Sequence, residues 1–173
     1  MFCKPIFSLV FLMSGCVGVS ACLAWQGKVT HVSDGDTLWV QAALHRQPVK
    51  VRILGIDAPE ICQAWGAQSR QALQAAILGR AVNVQGAHKD SFGRLLAKLR
   101  VHGDDVGAWM VLHGHAWSYT FKSRRGPYDI EQMQAQNARA GLFADPSAVP
   151  PRFFRKRFGS CPSPTHGAVG LSR

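Results

Sequence analysis

The stretch DGDTLWVQAALHRQPVKVRILGIDAPE, Asp34 to Glu60, decides how this chain folds. It holds Asp34, Asp36, Asp57 and Glu60, four of only ten acidic residues in 173, with Arg52 set among them. Leu38, Val40 and Ala42 alternate on one side of a strand over Thr37–Leu44. Val49, Val51, Ile53 and Ile56 mark a further strand that ends at Pro59. Trp25 to Val32 alternates as well and stops at the turn Ser33-Asp34-Gly35. Together these segments predict an antiparallel meander.

Outward from the meander the period changes. Trp65, Ala72, Leu73, Ala76 and Ile77 give a helical face over Ala64–Leu78, and Gly79 ends it. Ala81–Gly86 and Leu95–Val101 are two more strands, joined by the loop HKDSFGR. A second helix covers Val106–His113 with Gly114 behind it. A third covers Ile130–Leu142, with Ile130, Met133, Ala138 and Leu142 on its apolar face. Trp109, Leu112 and Trp117 are assigned to the core. Five short strands with a helix between the third and fourth are the element order of an OB-type barrel. The expected fold class is therefore α+β, mainly β: a five-stranded OB-type barrel with three helices.

Both ends differ from this body. Residues 1–24 carry one charge, Lys4, an apolar run from Pro5 to Met13, and then small residues. That is the layout of a secretory signal peptide. The apolar run is short for a membrane-spanning helix, which needs ~20 residues. VSAC, Val19 to Cys22, also resembles a bacterial lipobox, which would make Cys22 a lipidated N-terminus; an uncleaved anchor is the alternative. In each case the body lies outside the cytoplasm, periplasmic, secreted or lipid-anchored to the envelope. Residues 25–146 form the domain, and 147–173 a Pro/Arg-rich tail with no order expected beyond about Cys161. Within the tail, RFFRKRF, Arg152 to Phe158, either straps onto the barrel through Phe153 and Phe154 or touches nucleic acid. The nearby Cys161 favours the strap. Cys62 and Cys161 are the only cysteines of the body. In an oxidising compartment they can form one bridge, and two unpaired thiols are the alternative.

Lys and Arg number 20, and the formal net charge is +10. Composition excludes collagen, coiled coil and wholesale disorder. The charge points to polyanionic partners. Against that background the acidic stretch stands out. Asp36 begins one predicted strand and Asp57 finishes the next, so a meander can bring them together at a barrel mouth. Two such carboxylates suit a hard divalent cation such as Ca²⁺. Glu60, just past Pro59, can point at the same mouth as a base or through a water. Arg52 lies on the opposite face of an ideal strand from Asp57, so a twist or bulge near Gly55 must join them. Arg94 enters the fifth strand. Two guanidinium forks beside a metal match the charge that builds on a phosphodiester during cleavage. His113 and His115 in HGH are read as a surface loop, not a metal pair.

DGDT, VRILGIDAPE and DSFGR resemble the three signature blocks of the staphylococcal nuclease (thermonuclease) family, in its order and spacing. The resemblance covers roughly Trp25 to Pro146. It implies an OB barrel with three helices that cleaves DNA and RNA with Ca²⁺ at the 5′ P–O bond, leaving 3′-phosphates. By position, it implies Asp36 and Asp57 as calcium ligands. Ala58 stands where the family often has Thr, and its backbone carbonyl can serve the metal equally well. Glu60 matches the proposed general base, and Arg52 and Arg94 the catalytic arginines. Asp34 matches an acid near the metal that does not bind it directly. Phe92 and Ser91 depart from the best-known member, which has Tyr and a basic residue there. Tyr119 and Phe121 align with base-stacking tyrosines, and Lys122 with Arg124 and Arg125 reads as a phosphate-tracking rim, with a plain solvated loop as the alternative. The resemblance implies nucleic acid as the substrate; no obligate protein partner is expected, a monomer is the default, and membrane contact is expected only if Cys22 is lipidated. Two rival readings stay open. An OB barrel can hold single strands without cutting them, and a surface lipoprotein can present a basic face to anionic envelope polymers. Metal-dependent turnover separates both from a nuclease.

Overall fold

The computed structural model describes residues 24–43, 46–119 and 125–161. The expected alternation produces the sheet. β1 (Ala24–Val32) pairs antiparallel with β2 (Thr37–Ala42), and β2 with β3 (Val49–Ile53). On its other side β1 pairs with β5 (Ala81–Lys89), which pairs with β6 (Leu95–Val101). β6 then lies parallel to β3, with Val51 opposite Leu95, Arg52 opposite Leu96 and Ile53 opposite Ala97. That last pairing closes five strands into a barrel and leaves no open edge between β3 and β6. The expected barrel, mainly β, is the one observed.

Inward positions of every strand fill the barrel. Leu38, Val40, Val51, Ile53, Val84 and Leu99 are fully buried, and Leu73, Ile77 and Met110 cover the barrel from helices. Each such side chain contributes roughly 1.5–3 kcal/mol by leaving water. α1 (Gly66–Ile77) and α2 (Val106–Leu112) are close to their predicted spans. Asp105 caps α2 by accepting from the Ala108 amide at 3.1 Å, which satisfies a donor the helix cannot.

Five expectations are corrected. First, the third strand does not run on to Pro59. It stops at Ile53, turns at Gly55 (φ +88°), and Ile56–Asp57 becomes β4, paired with β8 (Trp117–Ser118). A β-carbon at Gly55 would sit 2.6 Å from Pro127 and would need the left-handed region, so glycine makes this turn. Second, the third helix, α3, covers only Asp129–Asn137. Arg139 takes φ +50°, which breaks the helix, and Gly141–Ala144 forms a separate 3-10 turn. Third, the expected apolar face of that helix is mostly outside. Ile130 is 66% and Met133 55% exposed, while Ala135 and Leu142 are buried. Fourth, Trp109 and Leu112 lie at the surface edge of α2, not in the core. Fifth, a fourth helix is present where only a tail was expected: α4 (Pro151–Phe158), with proline in its first turn. α4 is a strap, but Phe154 faces inward while Phe153 is 51% exposed. A two-residue strand β7 (Asp104–Asp105) completes the sheet beside β6. Among the described residues no helix is long and apolar enough to cross a membrane. The leader, Phe121, Lys122, Arg124 and the chain after Cys161 lie outside the described residues.

Candidate active site

The DGDT turn hands β1 to β2 and packs against α1. A β-carbon on Gly35 would come within 1.9 Å of the Ser69 hydroxyl and 2.7 Å of the Ala58 β-carbon. Only glycine allows this approach, which sets Asp34 and Asp36 at the barrel mouth. The Asp36 amide donates to Asp34 Oδ1 at 3.0 Å, an Asx turn that fixes the direction of the Asp34 side chain.

Arg52 answers the geometric question raised by the sequence. It sits opposite Thr37 in the β2–β3 ladder, next to Asp36. The turn at Gly55 folds Asp57 back over it. Arg52 Nη1 donates to Asp36 Oδ1, and Nη2 donates to Asp57 Oδ1 at 2.9 Å. Both aspartates are buried, at 3% and 4% exposure. Asp36 is further held by the Thr37 hydroxyl at 3.0 Å and the Ala58 amide at 3.0 Å. Burial alone would lower the Arg52 pKa, but Asp36, Asp57 and Asp34 together raise it. Arg52 is therefore a fixed cation and not a proton donor.

Arg94 approaches from the DSFGR loop. Its amide donates to Asp90 Oδ1 at 2.9 Å and its Nε to Asp90 Oδ2 at 2.8 Å, so the loop's own acid orients it. Its Nη1 reaches the Thr37 hydroxyl at 3.5 Å, which ties Arg94 to the Asp36 side of the mouth. Burial pushes the Asp90 carboxyl up, but the hydrogen bonds from Arg94 outweigh it and hold the group below the usual aspartate value. Phe92, exposed, lies 5.2 Å from the Arg94 guanidinium.

On the far side is Arg155 of α4, a residue that sequence reasoning did not place here. Its Nη1 donates to Glu60 Oε1 at 2.8 Å and to Asp57 Oδ1 at 3.2 Å, and its Nη2 donates to Asp57 Oδ2 at 3.0 Å. Burial would lower its pKa, but Asp57 and Glu60 raise it strongly. Cys62 and Cys161 form a disulfide, with α-carbons 5.8 Å apart, which anchors the chain just beyond α4. Gln63 Nε2 donates to the Val149 carbonyl at 2.5 Å and anchors the chain just before it. Gln63 also braces the Glu60 amide through its Oε1 at 3.2 Å. The sequence signal for Arg155 was present but indirect: a basic aromatic run between Gln63's partner and Cys161.

The arrangement runs from Arg94 through Thr37, Asp36, Arg52 and Asp57 to Arg155 and Glu60 in one chain of hydrogen bonds. Tyr119 is near the mouth, its amide donating to the Gly55 carbonyl at 2.9 Å, and its side chain is exposed. His113 and His115 do not face each other as a metal pair. His113 Nδ1 contacts the Trp109 carbonyl at 2.8 Å, and His115 Nδ1 accepts from Trp65 Nε1 at 3.4 Å.

Charge decides whether the mouth suits a cation. Its donors are all oxygens, from Asp36 and Asp57, with Asp34 and Glu60 close by. Burial and then the neighbouring Asp36 charge push the Asp34 carboxyl up to about 7. Burial, more than the Asp36 charge, makes ionisation of Asp34 costly in this enclosed place. Hard oxygen donors in such a place fit a divalent cation of the Ca²⁺ class. Among the described residues no group of three or more His, Cys, Asp and Glu side chains converges as a finished cage. Two carboxylates would need carbonyl or water oxygens to complete the shell.

Comparison with known proteins now settles the family. Residues 50–145 match the family described as Staphylococcal nuclease homologue. The chain belongs to that family. It is 36% identical over 152 residues to Protein ParB of Escherichia coli, covering 80% of this chain and 85% of that protein. An uncharacterized endonuclease of Escherichia coli is 33% identical over 137 residues, covering 79% and 88%. A micrococcal nuclease of Shigella flexneri is 33% identical over 153 residues, covering 81% and 86%. The family match ends before α4, so this member of the staphylococcal nuclease family carries Arg155 on a segment outside the matched range.

Proposed function

We propose that this protein is a hydrolytic nuclease that cleaves phosphodiester bonds of DNA and RNA with Ca²⁺, giving 3′-phosphate ends. The observation that carries the reading is Arg52, which bridges Asp36 and Asp57 at a barrel mouth shared with Glu60 and Arg94. The names of the endonuclease and micrococcal nuclease relatives support the same class.

In this reading Asp36 and Asp57 hold the divalent cation, with the Ala58 carbonyl as a further oxygen. When bound, Ca²⁺ supplies positive charge to the scissile phosphate and screens it from the carboxylates. Glu60 accepts a proton from the attacking water, which directs the nucleophile at phosphorus. Arg52, permanently charged and fixed by both aspartates, stabilises the charge that grows on the equatorial oxygens. Arg94, oriented by Asp90, stabilises the same charge from the other side and assists the departing 5′-oxygen. Exposed Tyr119 offers a stacking face for a base, and Phe121 and Lys122 are assigned to stacking and phosphate contact by the family resemblance alone.

The leader, with export to the periplasm or beyond and lipidation at Cys22, belongs to the same proposal, as does a monomeric state. Envelope calcium sites work at about 10⁻⁴–10⁻³ M, so a site of few carboxylates suits that location. The test incubates purified protein with single- and double-stranded DNA and with RNA, in Ca²⁺ or EGTA, beside Glu60→Gln. Expected are fragments with 3′-phosphate ends in Ca²⁺ alone, reduced at least about hundredfold in the variant. DNA that is bound but left intact in every condition refutes the nuclease reading and favours a strand-binding OB module.

A further inference from the structure

We propose that Arg155 is a third arginine of the active centre, which trades the Asp57 and Glu60 carboxylates for a phosphate of the bound nucleic-acid strand. The inference rests on the nuclease reading above and adds a substrate contact from outside the matched family range.

Arg155 already holds two carboxylates of the mouth. Its guanidinium spans both oxygens of Asp57 and one of Glu60, at 2.8 to 3.2 Å. Asp57 is the carboxylate proposed to hold the cation, and Glu60 the one proposed to take the water's proton. Asp57 has both oxygens on Arg155 and Oδ1 also on Arg52, so it cannot turn to a cation unhindered, and Glu60 has Oε1 tied to the same guanidinium. The contact must therefore loosen in each turnover, and Asp57 shared with a cation holds Arg155 less tightly. The freed guanidinium does not travel far. α4 is pinned on both sides, by Gln63 on Val149 and by the Cys62–Cys161 bridge, and Phe154 lines a cavity with Trp65, Trp117 and Leu142. A planar, permanently charged fork held at the edge of a carboxylate cluster next finds the phosphodiester itself, which accepts the same bidentate pattern.

The rest of α4 supports a polyanion as the occupant. It carries Arg152, Arg155, Lys156 and Arg157 and no acid. By helical spacing Arg152 and Lys156 share the edge beside Arg155, and both are exposed. A strand whose phosphate meets Arg155 can continue along that edge without crossing an acidic side chain of the helix.

Two independent readings test this. Calorimetric titration of Ca²⁺ into substrate-free protein reports competition for Asp57. Steady-state kinetics on single-stranded DNA at saturating Ca²⁺ report the phosphate contact. Arg155→Gln is expected to lower the Ca²⁺ dissociation constant about tenfold and to raise KM for DNA about tenfold, with kcat changed much less. Arg155→Lys keeps the charge but not the fork, so it should fall between Arg155→Gln and the unaltered protein in both measurements. Reducing the disulfide frees α4, so it should tighten Ca²⁺ binding in the unaltered protein and leave Arg155→Gln unchanged. That last arm tests the idea even if Arg155→Gln folds poorly. Equal Ca²⁺ affinities before and after the Arg155→Gln substitution or reduction of the disulfide overturn the proposal, as does an unchanged KM. No Ca²⁺ binding to either protein is a distinct result, which overturns the calcium reading together with the proposal.

Discussion

Replacing Arg52 with glutamine removes the only side chain among the described residues seen to bond both Asp36 and Asp57. The two carboxylates remain, buried and partly unpaired. Arg52 is itself only 18% exposed, so solvent screens the loss weakly. Breaking a buried ion pair by deleting one partner costs about 3–5 kcal/mol. Some compensation survives here. Asp36 keeps the Thr37 hydroxyl and the Ala58 amide, and Asp57 keeps Arg155. The lower end, about 3 kcal/mol, is therefore expected. For a chain of this length that is a fall in Tm of roughly 6–12 °C. The assay is thermal unfolding at neutral pH, first in EGTA and then in millimolar Ca²⁺. A cation placed between the same carboxylates replaces the lost charge, so Ca²⁺ should raise Tm more in the variant than in the parent. A fall below about 2 °C in EGTA would show that the aspartates do not depend on Arg52. An equal response to Ca²⁺ in both proteins would show that the cation does not sit between them.

Two other substitutions probe the supports of the site. Asp90→Asn should lower kcat about tenfold or more with little change in Ca²⁺ binding, because Arg94 loses its charged brace while Asp36 and Asp57 are untouched. Its stability effect has a pH signature. The native Asp90 pKa is depressed, so its stabilisation is complete above the unfolded value of about 3.9 and disappears as pH falls through the lower native value. Urea titrations of Asp90→Asn and parent should differ at pH 7 and converge at strongly acid pH; a gap that persists there counts against the Arg94 pairing. Gly35→Ala should cost about 1–3 kcal/mol by overpacking and weaken Ca²⁺ binding by shifting Asp36. Adding Ser69→Gly removes two of the three closest contacts and should restore part of both; a stable, tight-binding Gly35→Ala would show that the turn has room.

The barrel was legible because its signals are local. Alternation in β1, β2, β5 and β6 and the helical period of α1 survive tertiary packing with small changes of boundary. The acids and arginines of the mouth were legible because they lie beside turns whose glycines restrict where the chain can go. Other features depend on partners that no local pattern names. The third helix was extended too far because Leu142 is buried, as an apolar periodic residue should be, yet it belongs to a separate turn after Arg139 breaks the helix. Ile130 and Met133 fit the same period while facing solvent, since an apolar residue on a helix need not meet a core. Trp109 reads most simply as core, whereas it stacks with His113 and His115 at the edge of α2. α4 was hidden most completely. Its arginines and prolines look like a solvated tail, and its docking depends on Cys62, 99 residues away from Cys161.

The parallel seam between β3 and β6 has a temporal meaning. It sets Arg52 opposite Leu96, two residues past Arg94, so the two arginines proposed to act on the phosphate come together only when the barrel shuts. A ribosome-bound chain that has emerged only as far as β5 possesses Asp36, Arg52, Asp57 and Glu60, but no Arg94 to oppose them. The seam is also among the pairings of greatest sequence separation in the sheet, and such pairings tend to form late. Synthesis and folding thus act as a timer: the full set of charges proposed to cut nucleic acid is assembled only by the finished molecule.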